Sequence, residues 1–278
     1  MLGIVIVNYQ SDELTVRFVR GQLSRITIPY QVVVVDNGAT ADQAVALQRQ
    51  IPDAVVLPAE NRGFAAGNNI GIRYLLEHGH PDRILLTNND IIFVSDRVVE
   101  RLAAVLDAHP EAGIAGPEVI GPDGCRQGPE PYMGMWKRYF WMYASTPFLG
   151  RKAKRRIFNL DYAEKAAEGK QDKLVGAFLL ADTDALVKAG LFDEGTFLYA
   201  EENILSDRLA AIGKCCWFCP AVRVIHEAGQ TIGKSYSSRR QDLLQFKSMS
   251  YYYRKYRGYS SISVQILSLL FRLILRIR

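Results

Sequence analysis

The chain has 278 residues, of which 49% are hydrophobic and 23% are charged. This composition excludes a disordered or fibrous protein, because a chain of this length and hydrophobicity buries a substantial core. The net charge of +5 is unevenly distributed, since residues 234–278 contain ten Lys and Arg but a single acid, Asp242. A basic segment of this kind favours a partner that carries phosphate, either lipid headgroups or nucleic acid.

The first half of the sequence alternates apolar runs with helical patterns, which is typical of βαβ units. The predicted strands cover residues 2–7, 32–35, 54–57 and 83–87, and the predicted helices cover residues 12–23, 40–50, 64–77 and 96–109. Residues 116–173 are rich in Gly and Pro, with a basic run at 151–156, and are predicted to be irregular. Beyond them we predict a strand over 174–181, helices over 183–189 and 201–212, and a strand pair within 214–225.

These elements predict one α/β domain over residues 1–235, with an open, mostly parallel sheet flanked by helices, and a helical tail over residues 236–278. The chain begins without the basic segment of a signal peptide. Cys215, Cys216 and Cys219 lie in an apolar run, without a second Cys or His pair at the spacing of a zinc site. We therefore expect a cytoplasmic protein.

Polar segments follow three of the predicted strands at their carboxyl ends. They are Asn8-Tyr9-Gln10-Ser11, Asp36-Asn37-Gly38 and Asn88-Asn89-Asp90. In open α/β sheets this edge binds ligands, so the pattern locates a site before it indicates what the site binds. Each segment taken alone is also compatible with a polar turn whose side chains bond their own backbone.

Two of the candidate segments suit a nucleotide. A carboxylate such as Asp36 can accept a hydrogen bond from a nucleobase or a ribose hydroxyl. Asn61-Arg62-Gly63 enters a helix through small residues, and a helix amino terminus of that kind favours an anion. Arg62 adds a direct contact to phosphate or base, while the alternative for this segment is a helix cap with glycine packing.

Three acids and a histidine are candidates for chemistry. Asp90 is the predicted ligand of a divalent cation that neutralises a diphosphate leaving group, with Asn88 assisting and His226 completing the site. Glu201 and Glu202 open a predicted helix, and one of them can act as a general base toward an attacking hydroxyl. The alternatives are a polar strand end for His226 and simple helix-dipole partners for the two glutamates.

Taken together, the motifs resemble family 2 glycosyltransferases of the GT-A fold, and most of all their bacterial rhamnosyltransferase-like branch. The matching segments, in order, are Ile4-Val5-Ile6-Val7-Asn8-Tyr9, Val34-Val35-Asp36-Asn37, Asn61-Arg62-Gly63-Phe64-Ala65-Ala66-Gly67-Asn68-Asn69, Leu86-Thr87-Asn88-Asn89-Asp90, Gly176-Ala177-Phe178, Gly190-Leu191-Phe192-Asp193-Glu194, Phe197-Leu198-Tyr199-Ala200-Glu201-Glu202 with Arg208, and His226.

The resemblance implies a role for each of the matched positions. It assigns the base contact to Asp36, the metal or diphosphate contacts to Asp90 and His226, the catalytic base to Glu202 with Glu201 in reserve, and an acceptor-side position to Asp193. The remaining donor-binding residues are Asn8, Tyr9, Asn37, Asn61, Arg62, Gly63, Asn68, Asn88 and Asn89. Asn88 replaces the first acid of the family's Asp-x-Asp motif, and Glu202 replaces an aspartate.

The implied reaction is the inverting transfer of a sugar from a UDP- or dTDP-linked donor to a hydroxyl of a polysaccharide or lipid-linked glycan, with Mg²⁺ or Mn²⁺. Two rival functions remain at this point. One is a sugar-phosphate nucleotidyltransferase, which would need a basic glycine-rich loop after the first strand, where this chain has Asn8-Tyr9-Gln10-Ser11. The other is a non-catalytic membrane-associated subunit that keeps the fold.

The tail interleaves tyrosines with Arg and Lys over residues 247–259 and then becomes apolar over residues 262–277. Arg272 and Arg276 interrupt the apolar stretch, which argues against a membrane-spanning helix. We predict an interfacial helix, with aromatics at headgroup depth, that holds the protein at the inner face of the cell membrane. Packing on the domain or in an oligomer is the alternative, and nucleic acid is not an expected partner.

Overall fold

The structure, a computed structural model, describes residues 1–139, 161–227 and 237–277, without the side chains of Ser238 and residues 272–277. The basic run at 151–156 and the predicted boundary at 235 therefore lie outside the described residues. The strands are β1 Leu2–Asn8, β2 Tyr30–Asn37, β3 Ala54–Ala59, β4 Arg83–Thr87, β5 Ile91–Phe93, β6 Ala112–Ile120, β7 Gly169–Gln171, β8 Phe178–Asp182 and β9 Cys215–His226. The helices are α1 Asp12–Arg17, α2 Ala41–Gln50, α3 Phe64–His78, α4 Val98–Ala108, α5 Tyr162–Lys165, α6 Thr183–Lys188, α7 Glu201–Ala211, α8 Ser238–Tyr256 and α9 Ser261–Ile277.

These strands form a single sheet in the order β3-β2-β1-β4-β8-β6-β9-β5, with β7 paired to β9. The pairings among β3, β2, β1 and β4 are parallel, and β8 then runs antiparallel to both β4 and β6. The central strands β1, β2 and β4 are runs of Val, Ile and Leu because helices cover both of their faces. The sheet is thus the predicted α/β sheet, with antiparallel pairings added in its second half.

The second half of the sheet differs from the sequence prediction, which lacked β5 and β7, and it also differs in two longer strands. Residues 116–120, predicted to be irregular, belong to β6, and the predicted strand pair within 214–225 is one long strand, β9. β6 contains Gly and Pro, but it lies between β8 and β9, whose backbones satisfy its hydrogen-bonding groups. The pairing of β6 with β9 shifts register between Pro117 and Glu118, so β9 has extra residues opposite this point of β6.

The tail packs on the domain through a third apolar cluster. Tyr252 and Tyr253 of α8 are 1% and 0% exposed, and they pack with Ile204 of α7 and with Leu267 and Phe271 of α9. The prediction that the aromatics of the tail lie at headgroup depth is therefore wrong for these two tyrosines. Their burial follows from tertiary contacts with α7 that no local pattern reveals. In the described part of the chain, no helix has the length and apolarity needed to cross a membrane.

Candidate active site

A polar cleft lies at the carboxyl ends of β1 and β2. Asn8 and Asp36 are register partners there, and Asn8 Nδ2 donates to Asp36 Oδ1 at 2.9 Å. Burial raises the pKa of Asp36, and the hydrogen bond from Asn8 opposes this effect. The cleft has a volume of about 640 Å³ and is lined by Asp36, Gly38 and residues 10–14. Tyr9, which is half-buried, lies beside Gly38.

Asn8 and Asn89 belong to a buried hydrogen-bond network that supports the cleft. Asn8 is 0% exposed and Asn89 is 6% exposed. Asn89 Nδ2 donates to Ser11 Oγ and Thr15 Oγ1 at 2.8 Å each, and the same two hydroxyls donate to Asn8 Oδ1 at 2.9 Å. The network ties the segment after β4 to β1 and α1. Asn8 thus positions Asp36, and Asn89 supports Asn8 through the two shared hydroxyls.

A second contact region, which we call the seam, joins residues 61–64 to Phe197. Asn37 Nδ2 donates to Asn61 Oδ1 at 3.1 Å, and the same oxygen accepts from Gly63 N at 3.1 Å. Phe64 N donates to Phe197 O at 2.9 Å. Gly63 has φ +102°, and a Cβ at this position would lie 2.2 Å from Phe197 O. Only glycine tolerates both the positive φ and this short contact, so Gly63 allows the two backbones to approach each other closely at the seam.

Arg62 and Asn68, both predicted donor contacts, lie in different surroundings. The Arg62 side chain is 63% exposed, and its Nη2 is 3.6 Å from Glu194 Oε2. Asn68 is 1% exposed and donates to Phe64 O at 3.0 Å within α3. Arg62 is therefore free to meet an anion, while the Asn68 amide is committed to its own helix.

Asn88, Asp90 and His226 converge at the ends of β4 and β9. His226 Nδ1 donates to Gln127 Oε1 at 2.8 Å, which orients the ring with Nε2 on the opposite side. Asn88 Nδ2 lies 3.2 Å from that nitrogen, and Asp90 Oδ1 lies at the same distance from it. Asp90 Oδ1 is buried without a hydrogen-bond partner. The lone pairs of the carboxylate and the imidazole thus share one small space.

This arrangement suits a divalent cation whose remaining ligands come from a substrate. An unsatisfied carboxylate oxygen and an imidazole nitrogen are both suitable donors, and Gln127 fixes the imidazole tautomer from behind. The described residues contain no group of three or more His, Cys, Asp or Glu that could enclose a metal ion. Because Asn88 is a neutral amide where the Asp-x-Asp motif has an acid, the cluster carries one negative charge fewer than that motif.

Glu202 lies against Gly176, in the segment directly before β8. A Cβ placed on Gly176 would lie 2.3 Å from Glu202 Oε1, so the glycine makes room for the carboxylate. The next residue, Ala177, accepts a hydrogen bond from Asn88 N at 2.9 Å. Glu202 is half-buried. Residues 176–177 thus contact both Glu202 and Asn88, and the Glu202 side chain keeps part of its surface accessible.

Glu201 has a different environment, although it is adjacent in sequence. It is 3% exposed, and its Oε1 has no hydrogen-bond partner. Burial, together with the nearby charge of Glu202, raises the pKa of Glu201 to about 8. Tyr199 and Ala200, directly before it, have φ of 72° and 70°, a left-handed conformation that is costly for residues with a Cβ. This strained backbone lies directly before α7, and the two glutamates that follow it have different surroundings.

Asp193, predicted on the acceptor side, is bonded by the chain's own side chains. Tyr251 OH donates to Asp193 Oδ1 at 3.0 Å, Lys255 Nζ donates to Oδ2 at 2.8 Å, and Tyr256 OH also donates to Oδ2. Arg208 Nη2 lies 3.3 Å from Oδ2. Burial alone would raise the pKa of Asp193, but these donors hold it far below the usual range. Asp193 thereby anchors α8 to the domain.

Sequence reasoning missed several residues of the site. Gln127 orients His226 from a stretch that was predicted to be irregular, and Ser11 and Thr15 satisfy Asn8 and Asn89. Ser11 was visible as part of a polar strand end, whereas nothing local singles out Gln127 or Thr15. Their roles depend on contacts with residues more than 70 positions away.

Comparison with known proteins identifies the family. The model of the family described as "Glycosyltransferase like family 2" matches residues 2–242. The chain belongs to glycosyltransferase family 2. This glycosyltransferase is similar to the N-acetylglucosaminyl-diphospho-decaprenol L-rhamnosyltransferase of Mycobacterium tuberculosis, with 27% identity over 252 residues that cover 86% of this chain and 80% of the relative. Family membership supports catalysis of sugar transfer over the nucleotidyltransferase and the non-catalytic subunit.

Solved structures show the fold. The glycosyltransferase resembles the mannosyltransferase PcManGT from Pyrobaculum calidifontis in complex with GDP-Man and Mn²⁺, with TM-score 0.59, 16% identity and coverage of 94% of this chain. It also resembles GalNAc-T7 with UDP, GalNAc and Mn²⁺, with TM-score 0.59, 14% identity and coverage of 92%. The chain spans 65% and 49% of those two proteins. The predicted GT-A fold is confirmed.

Proposed function

We propose that this glycosyltransferase moves a sugar, with inversion, from a UDP- or dTDP-linked donor to a hydroxyl of a glycan acceptor. The observation that supports the proposal is the convergence of Asn88, Asp90 and His226, together with Glu202 on the segment 176–177 that also bonds Asn88. Inversion needs one base on the acceptor side and one positive centre on the leaving-group side. In this proposal Glu202 is the base, and Asp90 with His226 would hold the positive centre.

Each group has one task in the proposed reaction. The half-buried Glu202 carboxylate takes the proton from the acceptor hydroxyl. Asp36 accepts a hydrogen bond from the donor nucleoside in the adjoining cleft, where Asn8 holds its carboxylate in place. Asp90 and His226 would hold Mg²⁺ or Mn²⁺, and such a cation would supply positive charge to the leaving diphosphate. Glu201 remains neutral at pH 7 because of its raised pKa, so Glu202 acts as the base.

A lipid-linked glycan is the proposed acceptor. The similar rhamnosyltransferase of Mycobacterium tuberculosis carries N-acetylglucosaminyl-diphospho-decaprenol in its name. The exposed side of α9 supports a membrane location, because Ile262, Ile266 and Leu269 are 69%, 48% and 64% exposed and recur at helical spacing. We propose that residues 1–235 form the catalytic unit and that the tail at 236–278 both packs on it and contacts an anionic lipid surface at the inner face of the membrane.

The test is sugar transfer from a panel of UDP- and dTDP-sugars by Glu202→Gln and Asp90→Ala, measured as release of nucleoside diphosphate. We expect Glu202→Gln to lower kcat by about 10²–10⁴-fold with an unchanged donor KM, because only the proton acceptor is lost. Asp90→Ala should reduce both kcat and the response to Mg²⁺ or Mn²⁺. Glu77→Gln, an exposed carboxylate on α3, is the matched control. Wild-type rates in both site variants would refute the site assignment.

A further inference from the structure

A second pocket, separate from the nucleotide cleft, lies between residues 194–197 and α8. It has a volume of about 370 Å³. Three basic side chains line it, namely Arg62 from the seam and Lys247 and Arg254 from α8. Lys247 and Arg254 are seven residues apart, which places them on the same face of the helix. We call this feature the basic pocket.

The charges of the basic pocket are incompletely neutralised by protein. Glu194 is the acid of the lining, and besides Arg62 it binds Arg73 Nη2 and Asn69 Nδ2, each at 2.9 Å. Lys247 and Arg254 have no ion pair with any acid in the described parts of the chain. An uncompensated pair of cations at a concave surface favours an anion with two negative charges.

Polar donors accompany the cations. Ser250 Oγ, which lines the same pocket, is buried and has no hydrogen-bond partner among the described residues. Ser248 Oγ donates to Leu198 O at 2.7 Å, so the neighbouring hydroxyl is already in use. A buried hydroxyl without a partner is costly, and a change of the Ser250 rotamer would be needed to bring it to a ligand oxygen.

The basic pocket is on the side of the seam that leads to the catalytic base. Asn37 and Asn61 meet at one side of the seam, where Asn37 lines the nucleotide cleft, whereas Arg62 and Phe197 line the basic pocket. The two cavities share no lining residue. The segment that borders the basic pocket continues from residue 197 directly into α7, which begins with Glu201 and Glu202. Because the basic pocket shares no residue with the nucleotide cleft or with the cluster of Asn88, Asp90 and His226, these observations favour an acceptor anion over the donor diphosphate.

We infer that the basic pocket binds the diphosphate of a lipid-linked acceptor through Arg62, Lys247 and Arg254. This inference rests on the proposed function for the identity of the acceptor. The exposed apolar side of α9 lies next in the chain, and Val264 of that helix lines the pocket, so an amphiphile with a diphosphate head meets both a charged pocket and an apolar helix.

Direct binding tests the inference without any turnover. Farnesyl diphosphate and inorganic pyrophosphate serve as probes, with farnesol as the uncharged counterpart, and Kd is measured by titration calorimetry. We expect the double variant Lys247→Gln/Arg254→Gln to bind farnesyl diphosphate about tenfold or more weakly, because two charged contacts are lost. The control Arg49→Gln/Lys188→Gln, which removes two exposed cations elsewhere, should bind like the wild type. Equal binding by both variants would overturn the inference.

Kinetics then separates the acceptor from the other sources of phosphate. In the transfer assay the double variant should raise the acceptor KM and leave the donor KM and the acceptor-independent hydrolysis of the donor unchanged. A raised donor KM would overturn the inference, because it would indicate that the pocket binds the diphosphate of the donor. If the double variant lost binding to phosphatidylglycerol vesicles but bound farnesyl diphosphate like the wild type, the inference would be overturned in favour of a general site for lipid headgroups. Failure of transfer in the wild type, with farnesyl diphosphate still bound through Lys247 and Arg254, would instead refute the proposed function alone.

Discussion

At the scale of single residues, burial decides which of two adjacent glutamates can act as a base. Glu201 is buried and Glu202 is half-buried against Gly176, although both belong to the first turn of α7. The same pair in an isolated helix would have nearly equal pKa values. Burial of Glu201 is costly whenever its carboxylate is ionised, so the site has a pH-dependent cost in stability.

Replacing Glu201 by Gln should remove that pH dependence. The folded pKa of Glu201 is raised from 4.5 to about 8, so the folded state binds the extra proton and wild-type stability falls as pH rises through this interval. Glu201→Gln keeps the neutral shape. We expect the two proteins to have similar Tm below about pH 5, and the variant to be more stable at about pH 9 by a few kcal/mol.

The measurement is thermal unfolding across that pH range, with Glu13→Gln, an exposed acid in the first turn of α1, as the control. The control should follow the wild-type curve. Parallel curves for the wild type and Glu201→Gln would show that Glu201 is not held neutral by burial.

At the scale of elements, the Asp193 carboxylate gathers several of the polar contacts that join α8 to the rest of the domain. Asp193 receives donors from Tyr251, Lys255 and Tyr256 of α8, while Arg208 of α7 contributes a cation. Behind this polar contact, Tyr252 and Tyr253 are buried against α7 and α9. The tail is therefore held by a charged network at one side and an aromatic cluster at the other.

Asp193→Asn should loosen α8. The substitution leaves Lys255 and Arg208 without their carboxylate, and we expect a loss of about 2–4 kcal/mol in the free energy of unfolding. Because the pKa of Asp193 is depressed, this contribution is complete at neutral pH and is lost only in acid. Urea denaturation gives the loss, and trypsin cleavage after Arg254 should become faster. Asp184→Asn, an exposed acid on α6, serves as the control, and equal cleavage rates in the two variants would contradict the anchoring role.

At the scale of the whole molecule, the active edge and the exposed side of α9 suit an enzyme that meets its acceptor at a lipid surface. Lys247 and Arg254 add positive charge to α8, next to the helix that carries Ile262, Ile266 and Leu269. Apolar insertion and attraction to anionic lipid act together in interfacial binding, and only the second is weakened by salt.

Replacing Ile262 and Leu269 by Ser should therefore weaken membrane binding without unfolding the protein. Both side chains are more than 60% exposed, so their loss from the folded protein costs little, while loss of their insertion should weaken vesicle binding by about tenfold or more. Sedimentation with phosphatidylcholine vesicles that contain phosphatidylglycerol measures the effect. Val45→Ser/Val187→Ser, which removes two exposed apolar residues of α2 and α6, is the matched control. Equal loss in both double variants would argue against docking through α9.

Much of the fold and part of the site could be predicted from sequence. The strands β1 to β4 and the polar segments after three of them follow local patterns, because parallel strands buried on both faces are continuous apolar runs. The strands β5 and β6 were missed because one is three residues long and the other contains Gly and Pro. Gln127 was missed for a similar reason, since its contact with His226 joins distant parts of the chain.

By itself the sequence determined the βαβ half of the molecule and the edge of the sheet at which the polar residues gather. Both depend on periodicity and on turn residues, which act over a few neighbouring positions. Only the tertiary structure decided that Glu201 is buried while Glu202 is not, that Asn8 and Asn89 support Asp36 rather than face the cleft, and that Tyr252 and Tyr253 belong to a core. Burial and hydrogen-bond partners depend on segments far apart in the chain, and those contacts exist only once the chain has folded.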